Sequence, residues 1–171
     1  EPLTKIYTES SLKGSIRKNV LDNISYQGEV YAIPLNVHRS NVLWYNIDLF
    51  ERYHLQAPKT IDELLEVCEI FAANGVTPLA VGDKNLWTSV HLFENVILAR
   101  LGPEKYSQLW KGEASFLSPE FEEAIVTFVK LLDFVNSDHG ALSWDQASEY
   151  MLEGICAMTN VGDWTEGLFR S

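Results

Sequence analysis

Trp87 and Trp164 are the residues of this 171-residue chain whose type and placement best suit chemistry. That chemistry is stacking rather than bond breaking. Each follows a short apolar run of strand character through a loop that contains Gly and Asp. Trp87 comes after residues 77–81 by way of Gly82-Asp83-Lys84-Asn85-Leu86, and Trp164 comes after residues 155–160 by way of Gly162-Asp163. In a layered α/β fold, ligands gather beyond the carboxyl ends of the strands. A flat, amphipathic indole there, beside a carboxylate acceptor such as Asp163, suits a sugar: the C–H face stacks and the hydroxyls hydrogen-bond. A single tryptophan in such a place is more often plain core; two at matching strand ends favour a shared site. His38, in Asn36-Val37-His38-Arg39, reads equally as part of a polar surface cluster or as a ligand donor.

Other chemistries find little support. The chain has no G-x-G-x-x-G or G-x-x-x-x-G-K-[ST] loop to cradle a phosphate, and no G-x-S-x-G nucleophile elbow. The acidic pairs Asp62/Glu63 and Glu122/Glu123 fall in the first turns of expected helices, where the helix dipole explains them without acid–base catalysis. His and Cys lack the close spacing of a metal site, so neither a metal nor a cofactor is expected. Cys68 and Cys156 read either as buried thiols or as one disulfide. Lys and Arg total 13 against 24 Asp and Glu, a net charge of −11. That balance opposes binding to nucleic acid or to an anionic membrane surface. Apolar runs are too short for a membrane-spanning helix, no signal-peptide pattern is seen, and both ends look cut.

The elements that would position these residues alternate between strand and helix. Spacing from Leu12 through Ile16, Val20 and Ile24 predicts a helix ended by Gly28. Residues 30–39 form a β-rich run with Pro34 inside it, which predicts an edge strand or one that changes partners; residues 41–46 give a second strand signal. Thr60 and Glu63 form a capping box for a helix whose inner face is Ile61, Leu64, Leu65, Cys68 and Phe71. A helix from about Trp87 to Leu101 carries Val90, Phe93, Ile97 and Leu101, and Gly102-Pro103 ends it. Ser118-Pro119-Glu120 opens another, with Phe121, Ala124, Ile125, Phe128, Leu132 and Val135 as its stripe. Ser143-Trp144-Asp145-Gln146 is a further capping box. This alternation predicts an α/β lobe, a small and mostly parallel sheet flanked by helices.

The order of motifs resembles a known family. The run Tyr31-Ala32-Ile33-Pro34-Leu35-Asn36-Val37-His38-Arg39-Ser40-Asn41-Val42-Leu43-Trp44-Tyr45-Asn46 is followed by Pro58-Lys59-Thr60-Ile61-Asp62-Glu63. Gly75-Val76-Thr77-Pro78-Leu79-Ala80 and Asn85-Leu86-Trp87 come next. Last is Gly154-Ile155-Cys156-Ala157-Met158-Thr159-Asn160-Val161-Gly162-Asp163-Trp164. In this order the chain is similar to the periplasmic sugar-binding proteins of ABC transporters, with the glucose and mannose binders the nearest type.

The resemblance implies a lobe of the type II periplasmic-binding-protein fold, in a two-lobed protein that closes on a monosaccharide and passes it to a membrane permease, outside the cytoplasm. Residues 1–39 would be a remnant of the first lobe with a crossover strand, and 40–171 most of the second lobe, incomplete at its C-terminus. Trp164 matches the position where maltose binders of the family stack a sugar; Trp87 matches the aromatic of the preceding loop. The expected ligand-binding set is therefore Trp87, Asp163, Trp164 and His38, with no catalytic residue. Nearly all of the first lobe has no counterpart here, so exchange of the N-terminal segment between two copies is also expected. The alternative, a glycosidase, needs two carboxylates facing each other at strand ends, and Asp163 alone lies beside the aromatic pair.

Overall fold

The computed structural model describes residues 1–12 and 14–170. These separate into two units, residues 1–37 and residues 38–171.

The first unit holds helices α1 (Thr4–Glu9) and α2 (Lys18–Asn23) and a hairpin of β1 (Ser25–Tyr26) and β2 (Glu29–Val30). The hairpin turns at Gln27 (φ 50°) and Gly28 (φ 84°). Positive φ at both central residues is the two-residue turn whose twist matches that of the strands. The helix expected from Leu12 to Ile24 shrinks to α2, because Arg17 is extended (φ −59°, ψ 144°) and Gly14 has φ 82°; Lys13 lies outside the described residues. Leu12, Ile16, Val20 and Ile24 are accordingly half-buried rather than a sealed stripe. The strand expected over 30–39 is also corrected: only Val30 joins a ladder. Pro34 has no N–H to offer one, and Leu35 beside it is 99% exposed.

The second unit runs β3 (Leu43–Tyr45), α3 (Ile47–Arg52), α4 (Ile61–Ala73), β4 (Thr77–Ala80), α5 (Trp87–Lys111), α6 (Pro119–Leu132), α7 (Trp144–Leu152), β5 (Cys156–Asn160), a 3-10 turn (Asp163–Thr165) and α8 (Glu166–Phe169). Its sheet has the order β3-β5-β4. β4 runs parallel to β5, with Leu79 opposite Met158 and Ala80 opposite Thr159. β3 runs antiparallel to β5, with Trp44 opposite Thr159. The three-stranded sheet thus has one pairing of each kind, and a parallel bridge from Leu79 to Val135 extends its β4 side.

Local chemistry sets most of these boundaries. Thr60 accepts the Glu63 N–H at 3.1 Å and starts α4; the Glu63 carboxylate returns to the Lys59 N–H at 2.6 Å rather than to that of Thr60. Ser118 caps α6, with Pro119 at its first position. The Gln146 side chain accepts the Ser143 N–H at 3.0 Å at the start of α7. Gly102 (φ 76°, ψ 166°) breaks α5 where the Gly-Pro pair predicts an end, but helix resumes beyond it to Lys111.

The core lies between the sheet and α4, α5 and α6. Phe71, Cys68, Leu79, Val96, Ile97, Ala124, Leu131 and Met158 are all 1% exposed or less. Sealing a large aliphatic or aromatic side chain contributes roughly 1.5–3 kcal/mol. Two expected stripes shift: Val90, Ile125 and Leu132 are exposed, while Leu92, Val96, Thr127 and Leu131 point inward. Ala80, Ala147 and Cys156 form a second cluster with Tyr150 packed on it. Cys68 and Cys156 are both free and buried, which excludes the disulfide. Burial pushes each thiol up to about 12, so both act as small apolar groups.

Candidate functional site

Three tryptophans stand at the starts of helical segments. Trp87 opens α5, Trp144 opens α7, and Trp164 is the middle residue of the 3-10 turn after β5. Because β4 and β5 are parallel neighbours, the loops that leave them start from the same edge of the sheet. The third chain segment arrives there through Asn136: its side-chain oxygen accepts the Val81 N–H at 2.7 Å, and its N–H donates to the Leu79 carbonyl at 3.1 Å.

The loop that delivers Trp87 is stitched to the loop that delivers Trp144. Asp83 N–H donates to the His139 carbonyl at 2.7 Å, and Lys84 N–H to that of Leu142 at 3.0 Å. A Cβ on Gly82 would lie 2.0 Å from the Ser143 carbonyl oxygen, so only glycine allows this approach. Buried Asp83 accepts the Ser89 N–H at 3.3 Å and thereby caps α5 from outside. Thr88 Oγ1 donates to the Gly82 carbonyl at 2.7 Å. Leu86 takes a left-handed conformation, φ 63°, which costs a residue with a Cβ about 1–2 kcal/mol and aims Trp87 at the site.

Trp164 folds back over the chain that precedes it. A Cβ on Gly162 would come within 1.9 Å of its ring, so the indole lies where only hydrogen fits. The rest of that loop is held by backbone bonds: Val161 N–H to the Val42 carbonyl at 3.2 Å and Asp163 N–H to the Arg39 carbonyl at 3.0 Å. The Trp44 indole N–H also donates to the Val161 carbonyl, at 3.1 Å.

The aromatic rings converge on Trp164. Trp87 lies 5.8 Å from it at 52°, Trp144 6.4 Å at 84°, and His38 5.5 Å at 88°. His91, one turn beyond Trp87 on α5, lies 5.1 Å from Trp87 and 6.2 Å from Trp164. These are edge-to-face or tilted contacts, each worth about 0.5–1.5 kcal/mol beyond area burial. All three indoles are half-buried, which leaves each part of its surface to the solvent.

Polar groups sit against this cluster. His38 Nδ1 donates to Asp163 Oδ1 at 2.8 Å, and Arg39 Nε lies 3.6 Å from Asp163 Oδ2. The His38 hydrogen bond, with help from the Arg39 backbone, the His38 charge and an Arg39 side-chain hydrogen bond, holds the Asp163 carboxyl below the usual aspartate range against the opposing effect of burial. The arrangement offers flat apolar faces beside an ionised acceptor and two nitrogen donors.

All four residues expected from the sequence, Trp87, Trp164, Asp163 and His38, come together. Trp144 and His91 join them without having been expected. Trp144 was hidden inside a capping box that reads as helix punctuation; His91 had a signal in its spacing, four residues after Trp87 on a helix. A groove of about 620 Å³ lies elsewhere, between the start of α4 and the middle of α5. Arg100 on its wall binds Asp62 at 2.7 Å and Thr127 at 3.0 Å, ties three helices together, and reads as structural. Among the described residues, no group of three or more His, Cys, Asp or Glu could hold a metal ion. No helix there is long and apolar enough to cross a membrane.

The family model for bacterial extracellular solute-binding proteins matches residues 2–168. The chain belongs to this family. Among the family's curated members, it is 38% identical over 172 residues to an uncharacterised ABC transporter extracellular-binding protein of Pyrococcus horikoshii, covering 99% of this chain and 39% of that protein. It is 30% identical over 148 residues to a "probable sugar-binding periplasmic protein" of Mesorhizobium japonicum, covering 85% of this chain and 35% of that one. Among solved structures, a protein from work on xylan utilization by Caldanaerobius polysaccharolyticus superposes with a TM-score of 0.84 at 26% identity, over 100% of this chain and 44% of that one. This solute-binding protein chain therefore spans well under half the length of these relatives. The family is one of solute binders rather than of enzymes, and the curated relatives' names place them outside the cytoplasm.

Proposed function

We propose that this chain is most of the second lobe of a two-lobed protein that captures a monosaccharide such as glucose and delivers it to a membrane ABC-transporter permease. Residues 1–39 are then the remnant of the first lobe with its crossover, and 40–171 the second lobe. Trp87 and Trp164 offer the stacking surface, Asp163 accepts from ring hydroxyls, and His38 donates. The observation that carries this reading is the 5.8 Å pairing of Trp87 with Trp164 beside the Asp163–His38 pair. The indoles pack against one another rather than spreading along a row, which suits one sugar ring better than an extended oligosaccharide. The periplasmic or extracellular placement of the relatives fits the same role.

Titration calorimetry of the complete binding protein with D-glucose, D-galactose, D-mannose and D-xylose tests the reading, with tryptophan fluorescence as a parallel signal. Micromolar affinity for one of them is expected, about −8 kcal/mol. The chain alone, keeping about half of that, would bind only at about millimolar concentration. Absence of binding to any of the four sugars by the complete protein overturns the reading. Turnover of a chromogenic glycoside, abolished by Asp163→Ala, would replace it with a glycosidase. Exchange of the N-terminal segment between two copies belongs to the same proposal for the chain alone; sedimentation across a concentration series that shows monomer throughout rules it out.

A further inference from the structure

His91 carries a polar atom that the fold leaves unused. Its ring packs against both indoles as the third corner of a triangle, 5.1 Å from Trp87 and 6.2 Å from Trp164, which are 5.8 Å from each other. Its Nδ1 is buried and has no hydrogen-bond partner among the described residues; the other such side-chain atom there is Oγ1 of Thr165. One of these atoms adjoins Trp164 in space and the other in sequence. Comparable buried groups elsewhere are paired: Asn136 with Val81, Thr159 with the Ala80 carbonyl, Thr88 with the Gly82 carbonyl.

A buried, unpaired nitrogen opposes folding and favours any partner that reaches it. Its water was already stripped when the chain folded, so a hydroxyl that arrives later gains a bond with no further desolvation on the protein side. The neighbouring ring with the least secondary structure behind it is Trp164, carried on a three-residue 3-10 turn, whereas Trp87 and His91 share the helix α5.

We infer that His91 is a specificity-determining residue of the sugar site: a monosaccharide stacks on the indoles, Trp164 shifts with its face still on the sugar, and His91 Nδ1 hydrogen-bonds one ring hydroxyl. This rests on the sugar-binding reading above. The indoles grip a pyranose by its C–H face and distinguish epimers weakly. A nitrogen at a fixed point beside that face reads a single hydroxyl, and hydrogen-bonded sites discriminate against analogues that lack the matching group.

The test uses the complete binding protein, with the tightest-bound of D-glucose, D-galactose, D-mannose and D-xylose, and with that sugar's monodeoxy analogues. His91→Phe keeps a ring against both indoles and removes the nitrogen. His91→Asn restores a polar atom near the position of Nδ1. Calorimetry is expected to show His91→Phe weakening the parent sugar about tenfold, with no fall in Tm, and His91→Asn recovering most of the loss. One monodeoxy analogue should bind the wild type about tenfold more weakly than the parent, yet bind wild type and His91→Phe alike. Equal affinity ratios for all analogues in wild type, His91→Phe and His91→Asn overturn the assignment while leaving the sugar site standing. A wild type that binds none of the four sugars removes the site itself, and His91 with it.

Discussion

The ring centroids of Trp87 and Trp164 lie 5.8 Å apart with their planes tilted by 52°. Parallel pairing of β4 and β5 makes this possible, because it ends both strands on one side, Ala80 opposite Thr159. If the two indoles form one stacking surface, truncating either weakens sugar binding. Removing an aromatic stacking partner costs about 0.5–1.5 kcal/mol beyond the lost contact area. Trp164→Ala in the complete protein is expected to weaken binding more than Trp87→Phe, which keeps a ring. Unchanged calorimetric affinity in Trp164→Ala would falsify the shared platform.

The closeness of Gly162 to the Trp164 ring gives a second expectation. A methyl group placed 1.9 Å from the indole forces the ring out of its place. Gly162→Ala should therefore lose near-ultraviolet dichroism from the tryptophans and cost about 1–3 kcal/mol of stability, the usual penalty of overpacking. Gly82→Ala, whose methyl group would meet the Ser143 backbone 2.0 Å away, should cost more, since backbone yields less readily than a side chain. A Gly162→Ala protein with unaltered aromatic dichroism would show that the ring keeps its place and the backbone yields instead.

How much of this was legible beforehand differs from residue to residue. Thr60, Ser118 and Ser143 announce their helices because capping is written in a few adjacent side chains. Trp87 and Trp164 are legible as a pair because each follows a strand-like run, and parallel strands end together. Residues 31–37 mislead: they have β-type composition, but a strand needs a partner edge, and partners are not written locally. Val90 misleads likewise, since the inward face of α5 is chosen by the sheet and α6 rather than by the periodicity of α5. His91 is legible in its spacing from Trp87 on one helix, but Trp144 is missed for the same reason: its place beside Trp164 depends on the Val81–Asn136 and Asp83–His139 bonds, which join segments far apart in sequence.

Asp163 supplies a pH dependence with a definite sign. Its folded-state pKa is held below the ordinary value of 3.8, first by the His38 hydrogen bond. A carboxyl depressed in the folded state stabilises the fold fully above its unfolded pKa, and the contribution disappears as pH falls through the folded value. The stability gap between wild type and Asp163→Asn, read by urea unfolding, should thus shrink as the pH falls below about 4. A gap that keeps its full size at the acid end would contradict a carboxyl held low in the folded state.

Asn136 is the residue whose loss should couple stability to binding. It is 5% exposed; its side-chain oxygen accepts the Val81 N–H at 2.7 Å, and its amide donates to Asp138 at 2.7 Å. Asp138 in turn accepts the Tyr150 hydroxyl at 2.8 Å, so one side chain connects the end of β4 to α7. Asn136→Ala strands the Val81 N–H in a buried place, which costs about 1–3 kcal/mol. It also loosens the two loops that carry Trp87 and Trp144. The variant should therefore lower Tm and weaken sugar binding together. Asn136→Asp keeps an acceptor for Val81 but sets a second carboxylate against Asp138, so it should recover stability at acid pH, where one of the two is protonated, more than at neutral pH. Thermal unfolding of both variants at pH 4 and pH 7, alongside calorimetry at pH 7, checks this. Normal binding by a destabilised Asn136→Ala protein would mean that the loops hold their indoles in place without this clamp.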